Sequence, residues 1–237
     1  MSFIILKTGS VREEVPVTGD FDEWIVTGMG VPAESVRVVD PAAGSLPAPA
    51  GATGVVITGS PRNVTDRPAW LEPAAAWIRG LGAAEVPVLG ICFGHQLIAH
   101  ALGGEVDRNP AGYEIGTVHV EKLPAADGDP LLGALPNPFP AHEVHHQTIR
   151  RLPEGAVPLA RSAGDPVQAF RAGLAWGVQF HPEFTDDVMR AYVRDQAAVL
   201  REAGRDPEAL LADVRPSPAG GVLARFARLA AERAGVR

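Results

Sequence analysis

Residues 86–96 constrain the fold of this chain more than any other stretch. An apolar run rich in valine and leucine breaks at Gly90, and a second glycine, Gly94, follows two residues after Cys92. A helix-compatible segment, 96–102, comes next and ends at two glycines. A strand, a sharp turn and a helix, with glycine on both sides of a nucleophile, are typical of a nucleophile elbow. The turn is crowded, so a side chain at either glycine would collide with the neighbouring strand or helix.

Cys92 is the only cysteine among the 237 residues, and the elbow pattern predicts that it is a nucleophile. The turn would lift its sulfur clear of the sheet and place it near a helix N-terminus. Unpaired N–H groups and the helix dipole favour a thiolate there. A lone cysteine is more often a small buried hydrophobic residue, so the assignment depends on a base and an oxyanion hole elsewhere in the chain.

A candidate base lies in the segment 177–183, which contains His181, Pro182 and Glu183. Pro182 restricts the residue before it to extended geometry. Positions two apart in an extended segment point the same way, so we expect the imidazole of His181 to meet the carboxylate of Glu183. A carboxylate on one ring nitrogen fixes the tautomer and leaves the other nitrogen free to take the thiol proton.

A candidate oxyanion hole lies in the segment 54–61, where a buried-strand pattern runs into a glycine turn. Gly59 would let the backbone approach a ligand closely, and its N–H could join that of Phe93 in binding a developing negative oxygen. A strand and turn of this kind is usually only structural. Its value here comes from recurring beside the other two motifs.

Three motifs occur in order along the chain: Thr-Gly-Ser-Pro at 58–61, Gly-Ile-Cys-Phe-Gly-His-Gln at 90–96 and Gln-Phe-His-Pro-Glu at 179–183. Together they resemble the motifs of class I (triad) glutamine amidotransferases. The similarity is closest to the glutaminase domain of GMP synthases and its free-standing relatives. With the alternating pattern of strands and helices, it implies a doubly wound, flavodoxin-like α/β fold. We expect a mostly parallel sheet, helices on both faces and a partly antiparallel region before the His-Pro-Glu motif.

The resemblance also implies roles for individual residues. Cys92 would be the nucleophile that forms a γ-glutamyl thioester, and His181 would be the general base and acid. Glu183 would orient His181. Gly59 and Phe93 would supply the oxyanion N–H groups.

Three further residues are implied to contact the substrate. Gln96 would help to hold the α-amino-acid end of glutamine. Residues 145–149 resemble a His-Gly-Asp segment that lines the mouth of the site in GMP synthase glutaminases, which makes His145 a candidate. Gln147 stands where those enzymes have aspartate, and this departure argues against a partnership of the GMP synthase type. Glu114 lies in a loop that relatives place near the site, where it would contact the substrate amino group or serve a structural or solvated role.

The pattern of elements divides the chain into a glutamine amidotransferase domain, 1–204, and a C-terminal helical extension, 205–237, packed on it. Residues 186–203 predict one long helix. Four short apolar runs predict central strands covered on both faces: 3–6, 36–39, 55–57 and 86–89.

Composition excludes several classes of function. The net charge is −7 and the basic residues are scattered, which argues against nucleic acid or anionic membranes as partners. No apolar stretch approaches the roughly 20 residues of a membrane helix, and the first residues lack the layout of a signal peptide. A single cysteine excludes an internal disulfide and suits a reducing cytoplasm, where we expect the protein to act.

The sequence predicts neither a cofactor nor a metal. It contains no phosphate-binding loop and no Gly-x-Gly-x-x-Gly motif, so nothing indicates a site for ATP. His142, His145 and His146 have a spacing that zinc could use. However, no thiolate is near them, and Glu143 is the only nearby carboxylate to complete four ligands.

The predicted reaction is hydrolysis of the γ-carboxamide of glutamine, or of a related γ-glutamyl amide, through a cysteine thioester. A γ-glutamyl peptidase acting on glutathione-like conjugates would use the same residues, so the sequence leaves that alternative open. A dissociable glutaminase subunit of a two-chain synthase is a further alternative, with the acceptor-activating machinery on a partner chain. Outside enzymes, the rival is a regulatory subunit with a vestigial site.

Overall fold

The computed structural model describes residues 2–235. The strands are β1 (Phe3–Leu6), β2 (Val36–Val39), β3 (Gly54–Ile57), β4 (Val88–Ile91), β5 (Glu105–Arg108), β6 (Glu114–Lys122), β7 (Phe139–His145), β8 (Gln147–Arg151), β9 (Val157–Arg161), β10 (Ala169–Ala172) and β11 (Ala175–Val178). The helices are α1 (Phe21–Met29), α2 (Leu71–Ala83), α3 (Phe93–Ala101), α4 (Asp186–Asp195), α5 (Ala197–Glu202), α6 (Pro207–Asp213) and α7 (Gly221–Arg233).

Nine strands form one sheet in the order β2-β1-β3-β4-β11-β10-β9-β6-β7, and β5 pairs with β8 apart from it. Neighbouring strands from β2 to β11 are parallel. Neighbours from β11 to β7 are antiparallel. This arrangement confirms the predicted α/β fold, including the antiparallel strands that precede the His-Pro-Glu motif. The sheet changes direction between β11 and β10, and we call this boundary the seam.

The parallel strands are apolar throughout because their side chains alternate between two helical layers. Phe3 and Ile5 of β1 belong to a core that includes residues of α1 and α7. Ile4 and Leu6 belong to a second core, with residues of α2 and α3. Every residue of β1, β3 and β4 is buried, as the apolar runs predict.

The prediction of a central strand at 36–39 is wrong. This segment is β2, the edge strand of the sheet, and only its last residue is buried. Val38 is 46% exposed. An apolar run of four residues does not distinguish an edge strand from a central one, because neither position in the sheet changes its local pattern.

The predicted helix over 186–203 begins where expected but is interrupted. Thr185 caps α4 by accepting a hydrogen bond from the N–H of Val188, at 3.3 Å. Gln196 separates α4 from α5, at the point where its side chain faces the cavity described below. No helix in residues 2–235 is long and apolar enough to cross a membrane.

The C-terminal segment contacts two separate parts of the fold, helix α1 and the start of β6. Leu223 of α7 lies against Gly28 of α1. Before α6, Arg205 donates hydrogen bonds to the carbonyl oxygens of Tyr113, at 2.7 Å, and Ile115, at 3.3 Å. The domain boundary at residue 204 stays a prediction. Residues 1, 236 and 237, which the two predicted segments include, lie outside the described part.

Candidate active site

Cys92 occupies a strained turn between β4 and α3. Its backbone has φ +50° and ψ −103°, a region that residues other than glycine rarely adopt. A methyl group on Gly90 would lie 2.3 Å from the carbonyl oxygen of Gly94, and one on Gly94 would lie 2.4 Å from that of Ile57. Both distances are far below contact, so the two glycines have the steric reason that the sequence indicates.

The turn holds the thiol at the floor of a cavity. The Cys92 N–H donates to Val178 O at 2.9 Å, which continues the parallel pairing of β4 with β11. Its Sγ lies 3.7 Å from Val144 O, at the end of β7. Phe93 begins α3, so its N–H has no acceptor within the helix.

His181 and Glu183 lie together as predicted, but by a different backbone path. The Phe184 N–H donates to His181 O at 3.3 Å, so residues 181–184 form a turn and not an extended segment. Nδ1 of His181 lies 2.8 Å from Oε1 of Glu183, and both side chains are buried. The prediction of an extended segment through residues 181–183 is therefore wrong, although the predicted contact between His181 and Glu183 exists.

The other nitrogen of His181, Nε2, has no hydrogen-bond partner of normal geometry among the described residues. Burial alone would lower the pKa of His181, but interactions with Glu183 and with the neighbouring Cys92 outweigh burial and raise the pKa to about 10. The ring of Phe184 stacks on the imidazole, with centroids 4.1 Å apart and planes 19° apart. The geometry suits a thiolate–imidazolium pair that one carboxylate holds in place.

Gly59 lies against both members of that pair. A methyl group on Gly59 would lie 3.0 Å from Cε1 of His181 and 3.8 Å from Cβ of Cys92. The Gly59 carbonyl accepts hydrogen bonds from the hydroxyls of Thr8, at 3.1 Å, and Thr58, at 2.8 Å. Neither the Gly59 N–H nor the Phe93 N–H has an acceptor within residues 2–235, so both can donate to a ligand.

The cavity above Cys92 has a volume of about 130 Å³. Among residues 2–235, no aspartate or glutamate lines the cavity, whereas two arginines, Arg12 and Arg62, do. The other lining side chains come from many elements: Phe21, Ser60, Pro61, Asn63, Cys92, Phe93, Gln96, Tyr113, Val144, His145, His146, Gln147, His181, Phe184, Tyr192 and Gln196.

Gln96 and His145 reach the cavity, and Glu114 does not. Gln96 Nε2 donates to Gln147 O and to Gln179 Oε1, both at 2.9 Å, which leaves its Oε1 for a ligand. The carboxylate of Glu114 instead accepts hydrogen bonds from the side chains of His145, Ser162 and Gln168. A contact between Glu114 and the substrate amino group, predicted as one of its two roles, has no support in this position.

The three histidines with zinc-like spacing, His142, His145 and His146, each contact different partners. Nδ1 of His142 lies 3.1 Å from Thr117 Oγ1, and His146 stacks on Tyr113 with ring centroids 3.9 Å apart. Within residues 2–235, a different group of carboxylate and imidazole side chains has its polar atoms within 4.8 Å of one another: Glu114, Glu143 and His145. The contacts among these three are hydrogen bonds and ion pairs.

Several residues of the site carry no recognisable motif. Arg12 follows β1 and forms an ion pair with Asp195 at the end of α4, beside Gln196. These positions are about 180 residues apart in sequence, so only the fold brings them to one wall. Tyr113 and Val144 reach the cavity through the pairing of β6 with β7.

Comparisons with known proteins identify the family of this chain. The family model of class-I glutamine amidotransferases matches residues 25–199. The glutamine-hydrolyzing GMP synthase of Aeropyrum pernix is 44% identical over 136 residues, which are 56% of this chain and 24% of that protein. The chain thus spans about a quarter of the length of such GMP synthases. A separate subunit of the glutamine-hydrolyzing GMP synthase of Methanopyrus kandleri is 34% identical over 174 residues, 70% of this chain and 86% of that polypeptide.

A solved structure extends the similarity to the whole fold. A glutamine amidotransferase from Thermotoga maritima has a TM-score of 0.74 and 26% identity, and the match covers 98% of this chain and 97% of that one. The chain belongs to the class-I glutamine amidotransferase family.

Proposed function

We propose that this class-I glutamine amidotransferase hydrolyses the γ-carboxamide of glutamine, or of a related γ-glutamyl amide, through a thioester on Cys92. One observation carries the proposal. A strained cysteine, a buried histidine and Phe93 line one cavity, and Gly59 lies against the cysteine and the histidine. Within residues 2–235, Nε2 of that histidine and the N–H groups of Gly59 and Phe93 have no hydrogen-bond partner. We also propose that it acts in the reducing cytoplasm, where its single thiol stays reactive.

The reaction proceeds in two halves. The Cys92 thiolate attacks the carboxamide carbon, and the N–H groups of Gly59 and Phe93 bind the oxyanion. The imidazolium of His181 then gives its proton to the leaving nitrogen, the C–N bond breaks, and ammonia or an amine departs. In the second half, His181 takes a proton from water, the hydroxyl attacks the thioester carbon, and glutamate is released as the thiolate re-forms.

Glu183 acts in both halves without moving a proton. It accepts the hydrogen bond of His181 Nδ1 at 2.8 Å, which directs Nε2 toward the reacting atoms. Its negative charge also stabilises the imidazolium. Because both groups are buried, little water competes with this interaction.

The cavity's charges fit an α-amino-acid head group. Arg12 and Arg62 can receive a carboxylate, and the absence of acidic side chains from the lining leaves oxygens of amides and carbonyls to receive the α-ammonium. Oε1 of Gln96 and the carbonyl of Val144 are two such acceptors. His145 would contribute to this wall by its ring.

A second candidate is a dissociable glutaminase subunit that delivers ammonia to a synthase partner. The similarity to the separate GMP synthase subunit from Methanopyrus kandleri, most of whose length the chain covers, favours this candidate. It uses the same residues and differs only in what consumes the ammonia. Gln147, in the position of an aspartate, argues for independent hydrolysis.

Ammonia and glutamate release by the purified chain tests the proposal. We expect hydrolysis of glutamine or a γ-glutamyl amide without ATP and without a second protein, and we expect none in Cys92→Ser. Glutathione and γ-glutamyl peptides in parallel assays identify the leaving group. Activity that appears only with a second polypeptide would support the second candidate. Inertness toward every γ-glutamyl compound, with or without partners, would contradict both and favour a vestigial site.

A further inference from the structure

A second buried histidine, His145, lies in the wall of the cavity, beside two carboxylates. Glu114 and His145 are direct partners in the antiparallel pairing of β6 with β7. Glu143 precedes His145 by two residues on β7, so the two side chains point to the same face of the sheet. Glu143 is 0% exposed and His145 is 4% exposed.

Hydrogen-bond accounting fixes the protons of His145. Its Nδ1 lies 2.9 Å from Gln147 O, and a carbonyl oxygen can only accept, so Nδ1 carries a hydrogen. Its Nε2 lies 2.9 Å from Oε2 of Glu114 and 3.3 Å from Oε2 of Glu143. A carboxylate can only accept when it is ionised, so beside an ionised Glu114 the Nε2 atom carries a hydrogen too. The ring is then an imidazolium.

The burial of Glu143 provides an independent reason for this cation. Neither of its carboxylate oxygens has a hydrogen-bond partner among the described residues, and a buried carboxylate without a nearby positive charge is strongly destabilising. Burial raises the pKa of Glu143 to about 7, although the positive charge of the nearby His145 opposes that rise. Burial lowers the pKa of His145, but Glu114 and Glu143 outweigh it and raise that pKa well above 6.5.

Other titratable groups around His145 do not replace this charge. Oδ2 of Asp165 lies 4.0 Å from Nδ1. Burial lowers the pKa of His95 to about 3, so that ring is neutral. The pKa of His146 is lowered as well, by burial and by the charge of His145. No lysine or arginine forms an ion pair with Glu114, Glu143 or Asp165 within residues 2–235.

We propose that Glu114 and Glu143 hold His145 as a permanent cation, and that this cation positions residues 144–147, which form one wall of the active site. The inference rests on the proposed function, because it assigns positioning residues to that reaction. His145 Nδ1 and Gln96 Nε2 share one acceptor, Gln147 O. Val144, next to His145, presents its carbonyl to Cys92 Sγ. Fixing the imidazolium therefore fixes contacts with the nucleophile and with Gln96.

The experiment compares Glu143→Gln and Glu114→Gln with a matched control, Glu121→Gln. Glu121 also lies on β6, but it is exposed and paired with Arg161. We expect kcat/KM to fall roughly 10- to 100-fold in the two cluster variants, as misplaced groups commonly cause, and to stay unchanged in the control. Alkylation of Cys92 by iodoacetamide should slow in the same two variants. This readout needs no substrate.

The pH profile separates positioning from a merely structural loss. In the Glu114→Gln/Glu143→Gln double variant, His145 should titrate near its ordinary pKa of about 6.5. Activity should then decline as pH rises through that value, while the wild-type protein keeps its activity. Nitrogen NMR of histidine-labelled wild-type protein should show both N–H groups of His145 at pH 7 to 8. This measurement needs no variant.

Several outcomes would overturn the inference. A neutral His145 at pH 7 in the wild-type protein is one. Variants that match Glu121→Gln in alkylation rate and pH profile are another. A divalent metal bound in equal amount to the purified protein is a third, since an ion would then hold the three side chains. If the wild-type protein hydrolyses nothing, the proposed function fails, and the NMR and alkylation results still decide whether the cation exists.

Discussion

Two buried histidines of this molecule each lie beside a glutamate, and we propose different roles for them. His181 and His145 are both buried, and each has a ring nitrogen within 3 Å of a glutamate oxygen. The difference lies in the second nitrogen. That of His181 has no hydrogen-bond partner among the described residues, and Cys92 is close enough to raise the pKa of the ring. The second nitrogen of His145 donates to a backbone carbonyl. A carboxylate beside a histidine therefore does not by itself identify a general base. An unoccupied nitrogen does not either, since Nε2 of buried His142 also lacks a hydrogen-bond partner among the described residues; we assign the base to His181 because its ring also lies beside the proposed nucleophile.

Removing each ring tests this distinction most severely. We expect His181→Ala to lower kcat/KM by roughly 10⁴-fold or more, since it removes the proton carrier. His145→Gln should lower it by only about 10- to 100-fold, since that ring positions a wall. Steady-state assays give the ratio, and near-ultraviolet circular dichroism shows whether each variant is folded. Equal losses of kcat/KM in folded His181→Ala and His145→Gln would contradict the proposed difference between the two rings.

The glutamates give a second, smaller contrast. Glu183→Gln should cost less than His181→Ala because the proton carrier remains, although a wrong tautomer in a related triad costs on the order of 10⁴ in turnover. Glu114→Gln should cost less again, because its histidine carries no proton in the reaction. Turnover measured under one set of conditions orders the three variants. A loss in Glu114→Gln that exceeds the loss in Glu183→Gln would reverse our assignment.

Stability should also depend on pH through these rings. The pKa of His181 is raised to about 10 in the folded state, above its unfolded value of about 6.5. Its contribution to the unfolding free energy is therefore fully present below pH 6.5 and is lost as pH rises toward 10. The expected slope is at most about 1.4 kcal/mol per pH unit and is steepest above about pH 8.5. Below that ordinary thiol pKa of about 8.5, the proton that His181 gains on folding is offset by the proton that Cys92 gives up in the proposed thiolate–imidazolium pair. Urea unfolding at several pH values should give a shallower decline in His181→Ala; an unchanged slope would argue against the imidazolium.

The smallest expected effect concerns the ring of Phe184, which stacks on His181. We expect Phe184→Leu to lower kcat/KM roughly 2- to 10-fold, the range that loss of an aromatic pair would give. Exposed His119 offers a control substitution, His119→Ala, that should leave activity unchanged. If Phe184→Leu is as active as the control, packing does not hold His181 and Glu183 alone suffices.

Sequence patterns located what is local and missed what depends on strand pairing. The elbow was predictable because Gly90, Cys92 and Gly94 are within five residues, and steric crowding dictates their types. Contact between His181 and Glu183 was predictable for the same reason, although the backbone there turns. The predicted substrate contacts of Gln96 and His145 and the oxyanion roles of Gly59 and Phe93 remain predictions.

The edge position of β2 and the pairing of Glu114 with His145 depend on sheet order and register. Neither is encoded in a short window of sequence, because partners are tens of residues apart. The ion pair of Arg12 with Asp195 has the same origin. The sequence therefore indicates Glu114 as a polar residue near the site but does not identify His145 as its partner.

The seam between β11 and β10 has a consequence for changing this protein's specificity. Cys92, Gly59 and His181 follow parallel strands on one side of it, whereas Val144 and His145 end an antiparallel strand on the other. Mutations in the antiparallel half can change the cavity wall that we propose contacts the substrate, while Gly90, Cys92 and Gly94 stay unchanged. A library for directed evolution should therefore concentrate its diversity in β6, β7 and the residues that join β7 to β8.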